Sequence, residues 1–175
     1  MMKFITILNL QMMSVKQLDN IIEHIRNRSY MSGIDRDKLR VKSTGEVFTP
    51  TDLVQEVLDE MKQEQFTDTT KTFLDPSCGD GQFLGEVLIR KMENGSTFEQ
   101  ALSTIYGVDL MPDNVELCRE RLLCGRNDLR HIVEQNIVCA DGLLYHYRFD
   151  SSHPYDDERK EQEFEDRLAK FVEIG

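Results

Sequence analysis

Apolar positions along this chain keep two rhythms, one helical and one strand-like, and the two alternate. Over residues 14–26, Val15, Leu18, Ile21, Ile22 and Ile25 fall on one helical face, and Ser14 with Gln17 makes a capping box at its start. A second amphipathic helix is predicted over 52–61, with Leu53, Val54, Val57, Leu58 and Met61 inward. Short apolar runs and helical patterns then take turns. Residues 72–75 read as a first strand, 82–92 as a helix, 106–109 as the end of a second strand, and 112–123 as a helix with Pro112 near its start. Residues 93–102 read as an inserted turn and short helix, and 132–139 contain a third strand. The tail from Asp156 is polar and helix-forming, with Phe164, Leu168, Phe171 and Val172 as its apolar positions. Alternating strands and helices predict an α/β fold with a parallel sheet and right-handed crossovers.

The junction between the first strand and its helix carries the chemistry. Phe73-Leu74-Asp75-Pro76-Ser77-Cys78-Gly79-Asp80-Gly81-Gln82-Phe83-Leu84 is a strand, a glycine turn and a helix start, the place where open α/β sheets bind nucleotide-like ligands. A dinucleotide turn has a third glycine for close helix–strand packing, but Leu84 stands there. There is no Gly-Lys-Ser/Thr, and no lysine or arginine lies between Thr72 and Ile89. Asp75 and Asp80 would repel a pyrophosphate. A cationic, phosphate-free nucleoside such as S-adenosylmethionine fits this turn better, and the acids beside it then become an asset.

The stretch from Asp75 to Leu84 resembles motif I of the amino-group DNA methyltransferases, especially N6-adenine enzymes of the restriction–modification type, whose pattern is Asp-Pro-x-Cys-Gly-x-Gly-x-Phe-Leu. Other segments follow in that family's order. Thr44-Gly45-Glu46-Val47-Phe48-Thr49-Pro50 resembles motif X, with Thr49 a candidate helix cap, Pro50 at the first helical position and Asp52 three residues after the cap. Ile105-Tyr106-Gly107-Val108-Asp109-Leu110 is a strand ending in an acid, and Ile137-Val138-Cys139-Ala140-Asp141-Gly142 is another. The resemblance implies a Rossmann-like class I methyltransferase fold and a cofactor site for S-adenosylmethionine. It implies that Phe48, Thr49 and Pro50 line the methionine end, together with Asp75, Pro76, Cys78, Gly79, Gly81 and Phe83 of the turn. Asp75 would face the methionine ammonium, Asp109 with Leu110 the ribose, and Asp141 the adenine amino group. Taken singly, Asp109 and Asp141 read as solvated strand-end acids, Thr49-Pro50 as a helix cap and Cys78 as a buried small residue. Their order around a complete turn motif favours the joint reading.

Composition bounds the rest. At 175 residues and 39% hydrophobic, one compact domain is expected. No apolar run approaches the length of a membrane span, and residues 1–13, interrupted by Asn9 and Gln11, fit an N-terminal strand or a frayed tail rather than a signal peptide. Cys78, Cys118, Cys124 and Cys139 form no Cys-x-x-Cys pair, which points to a reduced, cytoplasmic protein without a metal site. A net charge of -11 argues against tight nonspecific DNA binding by this chain alone. Arg26, Arg28, Arg36, Lys38, Arg40 and Lys42 form either a modest basic face or an ordinary solvated segment.

The family's base-holding Asn-Pro-Pro-Tyr/Phe is missing. Its nearest echo is Ser152-His153-Pro154-Tyr155, which makes Tyr155 a weak candidate for base stacking and otherwise part of a turn. The expected organisation is a helical segment over 1–43, a cofactor-binding core over 44–150 and an acidic helical tail over 151–175. The sheet is expected to stop after three or four strands, leaving the first strand with an open edge. That edge would be covered by the 156–174 segment, a second copy or a partner subunit. Two main readings follow, an adenine-specific DNA methyltransferase that takes a partner chain for target binding, or a catalytically inactive cofactor-binding module that regulates or completes a partner; methyl transfer to a small molecule or protein is a third, lesser one.

Overall fold

Three short parallel strands form the centre of the computed structural model, which describes residues 16–26 and 49–172. They are β1 (Phe73–Asp75), β2 (Ile105–Asp109) and β3 (Ile137–Cys139), in the order β1-β2-β3. Phe73 lies beside Ile105, and Gly107 beside Ile137. The central strand β2 is buried on both faces, which is why it reads as an almost continuous apolar run. The helices are α1 (residues 16–26), α2 (Thr51–Asp59), α3 (Glu64–Thr67), α4 (Gln82–Glu93), α5 (Phe98–Leu102), α6 (Pro112–Leu123), α7 (Arg130–Asn136) and α8 (Glu158–Val172). The inserted helix α5 starts on a full capping box between Thr97 and Gln100.

The strand order decides what covers each face. Each strand is added on the same side of the last, so right-handed crossovers stack α4 to α7 on one face of the sheet. There they bury Phe73, Ile105 and Ile137 in the main core, together with Ile21 and Ile25 of α1 and Val54 and Leu58 of α2. The opposite face carries Val108. The chain after β3 covers it: Tyr145, Tyr155 and Phe164 of α8 form a second core with Val108 and Ala140. The Phe149 ring meets Tyr106 of β2 at 4.8 Å between centroids. This strap is strained. Tyr147, Phe149 and Ser151 hold φ of 58°, 51° and 61°, each costing about 1–2 kcal/mol for a non-glycine residue.

Several expectations are corrected here. Helix α2 starts at Thr51, not at Pro50, and no side chain caps it. Pro50 keeps extended backbone, with φ -57° and ψ 144°, so helical geometry begins one residue later than expected and Thr49 lies outside the cap. Only Val54 and Leu58 of α2 reach the core, whereas Leu53, Val57 and Met61 are exposed, because α2 meets α4 along a single stripe. The third strand lies within 132–139 as expected, at Ile137–Cys139, with Ile132 and Val133 in α7. Helix α8 packs on the second core, away from the free edge of β1, where Leu74 is half-exposed. Among the described residues β1 pairs with β2 alone. No helix among the described residues is long and apolar enough to cross a membrane. The Ser14 capping box, Val15, residues 1–13 and the basic residues from Arg28 to Lys42 lie outside the described residues.

Arg26 leaves the proposed basic face. Its guanidinium grips Glu86 of α4 through two hydrogen bonds of 2.8 and 2.7 Å, and Gln55 of α2 donates to the same carboxylate at 3.3 Å. Glu86 is 1% exposed, so its charge depends on these donors. Arg26→Ala is expected to destabilise the fold by about 1–3 kcal/mol, the cost of a buried carboxylate losing its principal donor. Urea unfolding with unchanged m-value would measure it.

Candidate functional site

The site is built from the ends of the strands inward. Asp75 closes β1, and its Oδ1 accepts from the Ser77 N–H at 3.1 Å, which bends the chain away from the sheet. The turn stays tied to β2, because the Cys78 N–H donates to the Val108 carbonyl at 2.9 Å. It then folds back on itself, with the Gly81 N–H donating to the Cys78 carbonyl at 2.8 Å. Gly79 and Gly81 hold φ of 52° and 83°, the left-handed region that glycine enters without strain. Gly81 caps α4 in this conformation. A Cβ on Gly81 would lie 2.6 Å from the Cys118 sulfur, whereas one on Gly79 would meet nothing within 4 Å. Among the described residues, the turn is therefore packed against the protein at Gly81 and open at Gly79.

Asp109 ties the site together. It is 8% exposed, and its Oδ2 accepts from the Gly79 N–H at 2.9 Å. Its Oδ1 accepts from the Met111 N–H at 2.9 Å and from Asn114 Nδ2 at 3.2 Å. One buried carboxylate thus joins the glycine turn, the end of β2 and the first turn of α6. Leu110, the next residue, is half-buried against the second core. Asp75 lies close enough to feel this charge. Burial raises the Asp75 carboxyl above the ordinary aspartate range, the Ser77 N–H opposes that shift, and repulsion from Asp109 adds to it. The mouth of the turn is consequently a negative region suited to a cation.

Thr51, just after the motif X segment, reaches the same turn. Gln82, one residue after Gly81, donates from Nε2 to Thr51 Oγ at 2.7 Å, which brings Thr49 and Pro50 beside the start of α4. Phe48 lies outside the described residues. Gln82 Oε1 accepts from Arg121 Nη1 of α6 at 2.6 Å, and the same nitrogen lies 3.3 Å from Asp80 Oδ1. This corrects the reading of Asp80 as a rim acid: it is 3% exposed and neutralised by a buried arginine. Among the described residues of the turn, Asp75 and Asp109 are the acids left at the mouth. Cys78 is a packing group. The Cys118 thiol beside it, and burial, push its own thiol well above the ordinary range. Phe83 is half-buried on the main core, and Pro76 is exposed.

The place of the missing third glycine is also explained. Leu84 is buried against β2, and a Cβ on Gly107 would sit 2.9 Å from its Cδ1 and 2.9 Å from the Cys78 sulfur. Close helix–strand approach is achieved by a glycine in the strand instead of one in the helix.

Asp141 sits at the end of β3, on the strand beside Asp109. Its Oδ1 accepts from the Leu143 N–H at 2.8 Å, and its Oδ2 from Arg167 Nη1 of α8 at 2.6 Å. The Asp141 N–H donates to the Tyr155 hydroxyl at 3.0 Å. Tyr155 is buried, with its ring 5.3 Å from Phe164, so it supports Asp141 and offers no open face for a base. Sequence reasoning missed Asn114, Arg121 and Arg167. For Arg121 the signal was available: a charge beside Leu122 and Leu123, on the apolar side of its helix.

Compared with known protein families, residues 37–160 match the model of the N-6 DNA methylases. The match covers most of the chain, and the protein belongs to that family. Neither the curated proteins nor the solved structures contain a significant match.

Gly81→Ala adds both left-handed strain and a clash with Cys118, and is expected to destabilise by about 2–4 kcal/mol. In the Cys118→Ala background the clash is relieved, and a smaller loss should remain. Chemical denaturation of the four proteins of this cycle measures both parts.

Proposed function

We propose that this chain binds S-adenosylmethionine at the glycine turn and serves as the cofactor-binding unit of an adenine-specific DNA N6-methyltransferase. The observation that carries the reading is the convergence of Asp109 on the Gly79 N–H, beside a turn that is open above Gly79. Family membership supports it, since enzymes of this kind use that cofactor. The fit is chemical as well as spatial: the two acids Asp75 and Asp109 at the mouth suit a ligand bearing a sulfonium and an ammonium and lacking phosphate.

In this reading Asp75 faces the ammonium and Asp109 the ribose hydroxyls. Asp141 faces the adenine amino group, and Thr49 and Pro50 flank the methionine end. S-adenosylmethionine supplies an activated methyl group on its sulfonium. The chain contributes binding and orientation, the share of methyl transfer that depends on holding the reactants in line. Ribose binding must exchange with donors already on Asp109, so the Gly79 turn is expected to shift when ligand enters.

Methyl transfer to a base also requires groups that extract and hold the target. We propose that a partner polypeptide carrying Asn-Pro-Pro-Tyr supplies them and pairs along the free edge of β1. The burial of Tyr155 favours a second reading, a module that binds the cofactor without acting on DNA by itself. Calorimetry with S-adenosylmethionine, followed by radiolabelled methyl transfer to adenine-containing DNA with and without copurifying protein, separates the two. An absence of heat and of thermal stabilisation would exclude both.

Asp109→Ala should weaken cofactor binding by about 1–3 kcal/mol, the range for unpaired buried polar partners. Asp109→Asn, which keeps the shape, should retain the fold and lose less. Unchanged affinity in both would detach Asp109 from the ligand.

Asp75 gives a pH dependence with a definite sign. Its folded-state carboxyl is raised, so its ionisation opposes folding at neutral pH, and that penalty disappears as pH falls below the ordinary aspartate range. A cationic ligand binds the ionised form. Affinity should therefore fall as pH drops toward the aspartate range, starting at a higher pH than an ordinary aspartate would dictate. Asp75→Asn should flatten this profile in calorimetry.

A further inference from the structure

We infer that helix α8 is a displaceable plug on the adenine end of this site, with the Arg167 guanidinium competing against the nucleoside for Asp141. The inference rests on the reading above, that Asp141 receives the adenine amino group. Arg167 Nη1 occupies Asp141 Oδ2 at 2.6 Å, and Asp141 is otherwise buried. An exocyclic amine offers that oxygen the same chemistry, an N–H donor. A guanidinium and an adenine cannot both fill the space in front of one carboxylate oxygen.

The closed arrangement extends beyond this pair. The strap that leads to α8 folds the end of β3 over the turn after β1. A Cβ on Gly142 would lie 2.5 Å from the Pro76 carbonyl oxygen, and the Tyr147 hydroxyl donates to the Gly142 carbonyl. Tyr155, next along the strap, accepts from the Asp141 N–H. Strap and helix therefore hold both the main chain and the side chain of Asp141.

The plug is weakly fastened. Of the α8 side chains described, Phe164 is buried, Arg167 and Leu168 are half-buried, and most of the others are exposed. Among the described residues, the ion pairs that join its first turns to the strap are solvated, His153 with Glu161 and Lys160 with Asp156, and the pair of Arg167 with Glu163 lies within the helix itself. Such pairs add little to stability. The strap carries left-handed backbone at Tyr147, Phe149 and Ser151, which opening would release. A strained strap and a helix held, among its described side chains, by Phe164, Leu168 and Arg167 have the character of a low-stability segment that a ligand can displace. The apparent affinity for nucleoside is then reduced by the fraction of molecules that are closed.

The test is calorimetry on the full chain with S-adenosylhomocysteine and, separately, with methionine. Arg167→Ala should tighten S-adenosylhomocysteine binding by about three- to ten-fold, the range expected from removing one partly solvated competitor, and leave methionine binding unchanged. Phe164→Ala, which loosens the helix and keeps the guanidinium, should tighten it in the same direction. In the Asp141→Asn background Arg167→Ala should have little further effect. S-adenosylhomocysteine should also speed tryptic cleavage within residues 156–170 of the unaltered chain. Equal or weaker S-adenosylhomocysteine binding by Arg167→Ala, with binding still measurable, overturns the plug and leaves the cofactor reading intact. No binding of S-adenosylhomocysteine by any of these proteins sinks the cofactor reading, and the plug with it.

Discussion

The site depends on one buried carboxylate. Asp109 holds the Gly79 N–H, the Met111 N–H and the Asn114 amide, and so fixes the glycine turn against the first turn of α6. A charge at 8% exposure survives because donors surround it. Those same bonds keep a turn built on two left-handed glycines from collapsing. The acid assigned to the ribose is thus also the residue that shapes the turn, so binding and local rigidity are expected to be coupled.

The second constraint is topological. A sheet that grows in one direction collects its right-handed crossovers on one side. The other side needs cover from elsewhere, and the aromatic strap and α8 provide it. The cover crosses the strand ends, where the site lies. Packing of the second core and the accessibility of Asp141 are therefore one problem: Phe164 satisfies the first, and Arg167 bears on the second.

Much of this was legible in the residues. Asp75-Pro76, the two glycines and the apolar runs on either side specify strand, turn and helix by purely local rules, and α4, β2 and α6 lie where the pattern put them. The inserted helix α5 lies within the turn and short helix read over 93–102. The rest failed for identifiable reasons. Helix α2 has a full apolar face in sequence but buries only Val54 and Leu58, because periodicity shows which residues share a face and not how much of that face a neighbour covers.

The sequence by itself determined the chemistry of the turn: which residues tolerate left-handed backbone, where acids end strands, and which ligand charge they suit. These follow from neighbours a few positions apart. The pairing of charges was decided only by the tertiary structure. Asp80 looks like Asp75 in sequence, but Arg121, 41 residues on, neutralises it. Asp141 meets an arginine 26 residues on. Helix packing and the path of the strap set those distances, and no local rule contains them.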